Sequence, residues 1–366
     1  MKCAQLNNRW MSCVMVAWAA VWWTDSSAKR SDVRARGMVT IAVVDDGVDM
    51  TRPELRGRSA INDDEIQDNG VDDDRNGIVD DVTGYDFLDQ DAVPMPAAES
   101  GDPSHGTKMA IVALRAADSV GDGVTEEREL TRVLPLRVAT GGVVNTTAVV
   151  RALYYAGSRK GRLVVNLSMG TFHSIIPAGL LSALAAQPDV LFVVSAGNQG
   201  RDVEKLRASM CHAHAANMVC VAAIDKEDNL SKAPRASNFG ASVDLAAFAV
   251  DVPIEDSRGK TQLDTGTSLA AAAVSGVAAR VWAAAPELRS WEVAQVLCEA
   301  ARSSDVLKGT VRCGVVDLVR SLRAVGSRTR IETVEALEPK RKANSSASAG
   351  LCCRLAGSRK GRTAHA

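Results

Sequence analysis

The segment that most constrains the fold is residues 265–276, in which Gly266 and Thr267 precede a run made almost entirely of Ala, Ser and Gly. Glycine and threonine let the chain bend into a helix, and the small side chains that follow let neighbouring elements approach closely. This pattern predicts a helix buried deep inside the protein. Ser268 is expected at its N-terminus, where free backbone N–H groups and the helix dipole favour negative charge. Ser268 is therefore either an ordinary capping serine or a nucleophile beside an oxyanion site.

Short apolar, β-branched runs without polar alternation recur along the chain and predict buried parallel strands. Because each is followed by a loop and a segment of helical length, the sequence predicts an α/β fold, with a mostly parallel twisted sheet covered by helices on both faces. A chain of 366 residues that is 46% hydrophobic and 24% charged is long enough for one large domain. The predicted strands are residues 38–44, 134–138, 163–168, 190–195, 218–223 and 243–245.

Four polar residues stand where predicted strands end or predicted helices begin. They are Asp45, His105, Asn198 and Ser268. Open α/β sheets bind their ligands at the carboxyl ends of the strands. A nucleophile, a base, an acid that fixes the tautomer of the base and an amide donor for an oxyanion together suffice for acyl transfer. Taken singly, each residue has a structural explanation, because an Asp can cap a turn and a lone His is usually structural.

The local strings around these residues resemble those of the subtilisin-like serine proteases, the subtilase family, over residues 38–322. Each of the four residues lies in its own string, and their chain order of Asp, His and Ser is that of subtilisin. The resemblance implies a three-layer subtilisin-like fold and a serine endopeptidase acting on peptides or proteins. The five strings that carry it are residues 43–47 (VVDDG), 105–107 (HGT), 166–170 (NLSMG), 195–198 (SAGN) and 266–268 (GTS).

The resemblance also implies a role for each residue at the site. Ser268 is expected to attack the scissile carbonyl, His105 to take its proton, and Asp45 to hold the imidazole in the right tautomer. The side-chain amide of Asn198 and the backbone N–H of Ser268 are expected to bind the oxyanion. Substrate is expected to add as an extended strand. The residues implied to bind substrate are Ser168, Met169, Gly170, Ala196 and Gly197.

Two other functions compete with this interpretation. One is a catalytically silent protein of the same fold that binds peptides or partners. The other is a nucleotide-binding α/β protein in which Asp45 holds a ribose or magnesium, although no Gly-x-Gly-x-x-Gly or Walker string follows the first predicted strand. A formal net charge of −1 offers no electrostatic basis for binding nucleic acid. The sequence leaves the oligomeric state open.

An acidic loop at residues 62–91 is the candidate metal site. Oxygen-bearing side chains alternate before Gly77 and resemble the first half of a calcium loop, although position twelve is Thr83 rather than Glu. A structural calcium ion and a merely solvated acidic loop both fit this pattern, and the chemistry itself needs no cofactor. The predicted calcium ligands are Asp72, Asp74, Asn76 and Asp80.

The ends and the cysteines predict export. Residues 1–28 carry basic residues before a short apolar run, as a signal peptide does, whereas a membrane anchor or a packed helix is the alternative. Residues 29–37 are interpreted as a short linker without an evident propeptide, residues 38–325 as the catalytic domain, and residues 326–366 as a disordered basic tail. In an oxidising compartment we expect disulfides between Cys211 and Cys220 and between Cys298 and Cys313.

Overall fold

The structure is a computed structural model. It describes residues 37–97, 103–119, 130–169, 175–213, 215–256 and 258–337, with the side chains of the last helix described as far as residue 327. The predicted signal peptide, most of the predicted linker, Gly170 and residues 338–366 of the predicted tail lie outside the described residues.

Among the described residues, eight of the twelve strands form one sheet in which every neighbouring pair is parallel. In chain order the strands are β1 Val39–Asp45, β2 Tyr85–Asp86, β3 Thr131–Arg137, β4 Ala139–Thr140, β5 Val143–Val144, β6 Arg162–Leu167, β7 Leu191–Ser195, β8 Met218–Ile224, β9 Leu245–Phe248, β10 Val252–Glu255, β11 Thr261–Asp264 and β12 Gly314–Val315. The sheet order is β12-β9-β8-β7-β6-β1-β3-β2, and β4–β5 and β10–β11 form separate antiparallel pairs.

Helices cover both faces of this sheet. They are α1 His105–Ala117, α2 Thr146–Ser158, α3 Ala178–Ala185, α4 Thr267–Ala284, α5 Ser290–Glu299 and α6 Leu318–Leu337, with 3-10 turns at Val203–Lys205 and Met210–Ala213. One core cluster joins α1, α4, α5 and α6 to one face of the sheet, and a second joins α2 and α3 to the other. The predicted three-layer α/β fold is therefore confirmed.

The order of the strands places a crevice above β1. After β1 the chain builds β2 and β3 on one side of it and then, from β6 onward, extends the sheet on the other side. Such a reversal opens the crevice at the carboxyl ends of the strands. The loops that leave β1, β6, β7 and β8 therefore meet at one edge of the sheet.

Helix α4 is the buried helix that the small residues predict. Apart from Ala273 and Ala284, all its residues are buried. It is also the one helix among the described residues that is long and apolar enough to cross a membrane, and its burial inside the protein identifies it as a core helix. It crosses α1 so closely that a β-carbon added to Gly276 would lie 1.9 Å from the carbonyl oxygen of Ala113. The small residues of α4 thus bring the backbones of these two helices into contact.

Most other predictions of local structure hold, with two corrections. The penultimate strand of the sheet runs over Leu245–Phe248 rather than residues 243–245. Helix α6 continues to Leu337, twelve residues beyond the predicted end of the catalytic domain at residue 325, and the domain boundary itself stays a prediction. Both predicted disulfides, Cys211–Cys220 and Cys298–Cys313, are confirmed.

Candidate active site

Asp45 and His105 form a hydrogen-bonded pair at the carboxyl end of β1. Asp45 is the last residue of the strand and is buried, and His105 is the first residue of α1. The Nδ1 of His105 lies 2.8 and 2.9 Å from the two carboxylate oxygens of Asp45. Because an ionised carboxylate only accepts hydrogen bonds, Nδ1 must carry the proton. In the neutral imidazole, Nε2 is then left as the proton acceptor.

The second acid of the loop, Asp46, holds the start of α1. Its carboxylate accepts the backbone N–H groups of His105 and Gly106, at 3.1 and 2.7 Å. A negative group is favourable at a helix N-terminus, and Ser104 caps the same turn by accepting from the N–H of Thr107. A β-carbon on Gly106 would lie 2.4 Å from the carbonyl oxygen of Gly47, so only glycine permits this close approach.

Ser268 lies in the first turn of α4 and not at the helix cap, which is Gly266. Its hydroxyl donates to the backbone carbonyl of Ser168 at 3.1 Å, instead of to the ring of His105. The hydroxyl of Ser168 in turn donates to the backbone carbonyl of Ser268, also at 3.1 Å. Two reciprocal bonds therefore fix the nucleophile candidate beside the segment that follows β6.

A buried polar chain anchors α4 to β6 behind this contact. Asn166 donates to the hydroxyl of Ser168 at 2.9 Å and accepts from the hydroxyl of Ser275 at 3.1 Å. Asn166 and Ser275 have no exposed surface, and buried polar groups of this kind are costly unless they are paired. Their pairing fixes the position of the helix relative to the sheet.

Asn198 reaches the start of α4 from the loop after β7. Its Oδ1 accepts from the backbone N–H and the hydroxyl of Thr267, at 2.9 and 3.0 Å. The Nδ2 donor is then left for another group, and it lies 3.5 Å from the position that a β-carbon on Gly266 would take. The hydroxyl of Thr267 also accepts from the N–H of Gly197, at 3.1 Å. The β7 loop is therefore fastened to the helix at the point where an oxyanion donor is needed.

Asp45, His105 and Ser268 line one cleft of about 500 Å³. Its other walls include the β4–β5 hairpin, the half-buried Met169, and Arg235 from the loop after β8. Because β6 and β7 are neighbours in the sheet, the predicted substrate-binding residues that follow them lie side by side. Ser168 and Met169 follow β6, whereas Ala196 and Gly197 follow β7.

The carboxylates of the cleft govern the pKa of His105. The charge of Asp45 is the largest influence and raises the pKa of His105 to about 9, while burial opposes the rise and Asp46 and Asp264 add to it. Burial and the neighbouring Asp45 raise the pKa of Asp46 in turn. Lys108 on α1 pairs with Asp264 at 3.1 Å on the wall of the cleft.

The acidic loop uses its carboxylates differently from the sequence prediction. Asp72 accepts from backbone N–H groups of Asn76 and Gly77, and Asp80 accepts from those of residues 69 and 70. These bonds close the turns of the loop. The group that could hold a cation is instead Glu65, Asp74 and Asp81, whose oxygens lie within 4.8 Å of one another. Of the three predicted carboxylate ligands, only Asp74 belongs to this group, and the predicted ligand Asn76 donates its side-chain amide to Asp74 and Asp81.

Sequence reasoning missed Glu65, Asp81, Asp46 and Asn166 as parts of these sites. Glu65 and Asp81 lie outside the alternating string that resembles a calcium loop, and only the folded loop brings them together. A signal for Asp46 was present in the doubled Asp of the VVDDG string. Asn166 had a signal too, because a lone Asn inside an otherwise apolar strand must find a buried partner.

Comparison with known proteins identifies the family. The family model Peptidase_S8, described as the subtilase family, matches residues 37–327. A thermophilic serine proteinase of Bacillus sp. (strain AK1) is 29% identical over 240 residues, covering 65% of this chain and 51% of its own length. Thermitase of Thermoactinomyces vulgaris is 28% identical over 250 residues, covering 68% of this chain and 76% of its own length. The chain belongs to the subtilase family, whose named relatives are serine proteinases.

A solved structure supports the fold independently. The structure described as the basis of subtilase cytotoxin SubAB assembly has a TM-score of 0.61 and 22% identity, and the match covers 84% of this chain and 96% of that one. At this identity the likeness shows the fold alone. The chain spans about half of the length of the Bacillus relative.

Proposed function

We propose that this chain is a secreted serine endopeptidase in which Asp45, His105 and Ser268 are the catalytic residues. The observation that carries the proposal is the two-oxygen contact of Asp45 with His105 Nδ1, in the cleft that Ser268 also lines. This contact leaves Nε2 of His105 as the base, because the Nδ1 proton is committed to the carboxylate.

In the proposed reaction, the hydroxyl of Ser268 turns from the carbonyl of Ser168 toward Nε2 of His105. His105 takes the hydroxyl proton as the serine oxygen attacks the carbonyl carbon of the scissile bond. It then gives that proton to the leaving amine, and an ester on Ser268 remains. A water molecule, deprotonated by the same ring, hydrolyses the ester and releases the acyl product. Asp45 stays ionised throughout and stabilises the imidazolium.

The negative charge that develops on the carbonyl oxygen needs donors that are already in position. Asn198 supplies its Nδ2. The two hydrogen bonds from Thr267 to Oδ1 hold the side-chain amide in place, and Nδ2 lies beside Gly266. The N–H of Ser268 is a second donor, because it lies in the first turn of α4 and has no partner within the helix. One such side-chain amide in subtilisin contributes about 3 kcal/mol to the stabilisation of the transition state.

Substrate is proposed to bind as an extended strand beside Ser168 and Met169, with the acyl part between this segment and the β4–β5 hairpin. The side chain next to the scissile bond then enters the space between the segments after β6 and β7. Because Met169 is apolar and neither Ala196 nor Gly197 carries a charge, this space favours no charged side chain.

The test is the hydrolysis of a mixed library of quenched peptides by the wild-type chain and by Ser268→Ala. We expect hydrolysis by the wild type, and a loss of at least about a thousandfold in Ser268→Ala with an unchanged melting temperature. If the folded wild type hydrolyses no peptide, the chain is the catalytically silent member of the family. In that case the bond from Ser268 to the Ser168 carbonyl is its resting arrangement.

We also propose that Glu65, Asp74 and Asp81 hold a structural calcium ion. Glu65 is buried and its Oε2 has no hydrogen-bond partner among the described residues, as expected of an oxygen that serves a cation. Arg159 contacts Asp81 at 3.2 Å, so three carboxylates and one guanidinium leave a net charge of −2, which one calcium ion balances. Bound calcium would fasten the loop to the helix that carries Arg159.

The calcium proposal is tested by the melting temperature in EDTA and in millimolar calcium. A ligand at about a hundred times its dissociation constant stabilises the folded state by about 2.7 kcal/mol, so we expect a rise of several degrees. Glu65→Gln should lose this rise. Asp80→Asn, whose carboxylate binds only the loop backbone, is the matched control and should keep it. An identical melting temperature with and without calcium in the wild type would remove the proposal.

Secretion is supported by the two disulfides, because such bonds persist in oxidising compartments. Intact-mass analysis of the protein recovered from culture medium tests it. We expect a species that lacks the first 26–28 residues and carries both disulfides. Full-length protein confined to the cells would contradict it.

A further inference from the structure

Arg235 is the one ionisable side chain of the cleft that has neither an ion pair nor a hydrogen bond among the described residues. Six ionisable side chains line the cleft: Asp45, Asp46, His105, Lys108, Arg235 and Asp264. Asp45 pairs with His105, and Lys108 pairs with Asp264. Asp46 accepts two N–H groups of α1. The guanidinium of Arg235 is exposed, and it has no ion pair or hydrogen bond among the residues that the structure describes.

Arg235 stands next to the nucleophile candidate. A β-carbon on Gly266 would lie 3.6 Å from the Cδ of Arg235, and 3.5 Å from the Nδ2 of Asn198. The aliphatic stem of Arg235 therefore packs at the residue that caps α4, two positions before Ser268. The guanidinium lies beyond this stem, within the lining of the same cleft.

The backbone beneath Arg235 is fixed. Its carbonyl oxygen accepts from the hydroxyl of Ser231 at 2.8 Å, and the same hydroxyl accepts from the N–H of Ser237 at 3.1 Å. Both serines are buried. The next residue, Asn238, donates to the carbonyl of Ala196 at 2.8 Å and accepts from the N–H groups of Gln199 and Arg201. The Arg235 loop is thus fastened to the loop that carries Asn198.

The strand order tells which part of a substrate Arg235 meets. The β4–β5 hairpin follows β3, whereas the loop of Arg235 follows β8, and these two strands lie on opposite sides of β6 and β7. The acyl part of a bound peptide occupies the hairpin side, beside Ser168 and Met169. The leaving part must therefore pass Gly266 on the other side, where Arg235 stands.

We propose that Arg235 is a specificity-determining residue that binds a carboxylate on the leaving-group side of the scissile bond, within the first two residues after it. This inference rests on the proposed peptidase function. The carboxylate belongs either to an Asp or Glu side chain or to the free C-terminus of a short peptide. No acidic residue occurs between Asp228 and Asp244, and Asp228 is committed to Arg302 at 2.7 and 2.8 Å. The substrate therefore supplies the counter-charge that the loop lacks.

The first experiment needs no catalysis and no knowledge of the cleaved sequence. A randomised hexapeptide library with amidated C-termini is equilibrated with Ser268→Ala, and the bound pool is sequenced by mass spectrometry. We expect acidic residues to be enriched about two- to tenfold, the range for one charge pair at a partly exposed site. The enrichment should disappear in Ser268→Ala with Arg235→Gln and should fall as salt is raised.

Lys232 provides the matched control, because it is an exposed cation of the same loop that does not line the cleft. Ser268→Ala with Lys232→Gln should keep the enrichment. Repeating the selection with a library that has free C-terminal carboxylates identifies which carboxylate Arg235 binds. Arg235-dependent binding that occurs only with free C-termini assigns the terminal carboxylate. Enrichment of Asp and Glu in the amidated library assigns the side chains. Absence of enrichment in both libraries, or enrichment that survives Arg235→Gln, overturns the proposal.

A second experiment separates this inference from the proposed function. The wild-type chain digests the same library, and the new N-termini are sequenced. Acidic residues should be over-represented among the first two residues after the cleaved bonds, and Arg235→Gln should abolish this excess. Hydrolysis without such an excess refutes the role of Arg235 and leaves the peptidase intact. Arg235-dependent binding without any hydrolysis refutes the peptidase, and Arg235 then remains a carboxylate-binding residue without a role in cleavage specificity.

Discussion

Gly276→Ala should test how the fold holds the proposed catalytic residues together. The β-carbon would lie 1.9 Å from the Ala113 carbonyl oxygen, whereas an ordinary contact is at least 3.4 Å, so α1 and α4 must separate locally by about 1.5 Å. The obstacle is backbone and cannot rotate away. Overpacking of this kind costs about 3 kcal/mol, and the better helix propensity of alanine returns about 1 kcal/mol. We expect a net loss of about 2 kcal/mol.

The same displacement should reach the active site. Ala113 follows His105 and Gly276 follows Ser268 by eight positions, or about 12 Å along each helix, and these two residues are the proposed base and nucleophile. Separation of the helices at the crossing therefore moves the base away from the nucleophile. A misplacement of about 1 Å costs roughly a hundredfold in rate, so kcat/KM should fall by about that factor.

The assay combines urea unfolding with peptide hydrolysis. We expect the unfolding midpoint to fall at an unchanged slope, and the melting temperature to fall by about 5 °C. Gly326→Ala in α6 is the matched control, because nothing lies within 4 Å of the added carbon and alanine should stabilise that helix slightly. Gly276→Ala with wild-type stability and activity would refute the backbone contact between α1 and α4.

Two further predictions concern charge and covalent links. Because the proposed mechanism uses neutral His105 as the base and the pKa of His105 is raised to about 9, kcat/KM of the wild type should rise with pH up to about 9. Asp46→Asn, which keeps an oxygen acceptor for α1, should shift the rise of kcat/KM to a pH lower by about half to one unit. If the pH dependence of kcat/KM does not shift, the charge of Asp46 does not act on the ring of His105. Replacing both Cys298 and Cys313 by serine opens a 15-residue link and should lower the free energy of unfolding by about 3 kcal/mol. Calorimetry of the double variant checks this, and a loss below about 1 kcal/mol would contradict it.

The fold could be predicted because its signals are local. The apolar runs that became β1, β6 and β7 have no polar alternation, and only a sheet covered on both faces buries them. The small residues of α4 likewise require close neighbours. The end of α6 could not be predicted in the same way, since only Ile331, Val334, Ala336 and Leu337 are apolar among residues 326–337.

The site was predictable as far as chain order and residue type define it. The string around each of Asp45, His105 and Ser268 lies at the end of an element, and the topology brings these ends together. The calcium group and the role of Arg235 could not be predicted, because they depend on how loops fold. Glu65 and Asp81 are sixteen residues apart in the sequence. Arg235 stands out only once the structure shows that the other ionisable side chains of the cleft have hydrogen-bond or ion-pair partners.

The most direct test of the catalytic assignment is covalent labelling with a fluorophosphonate, with the modified peptide located by mass spectrometry. The account predicts labelling at Ser268, its loss in Ser268→Ala, and strongly slowed labelling in His105→Ala, because the hydroxyl needs a base to become a nucleophile. Ser275→Ala, which removes another buried hydroxyl of the same helix, should still be labelled at Ser268. A folded wild-type chain that takes up no label, or takes it up at another serine, would contradict the assignment.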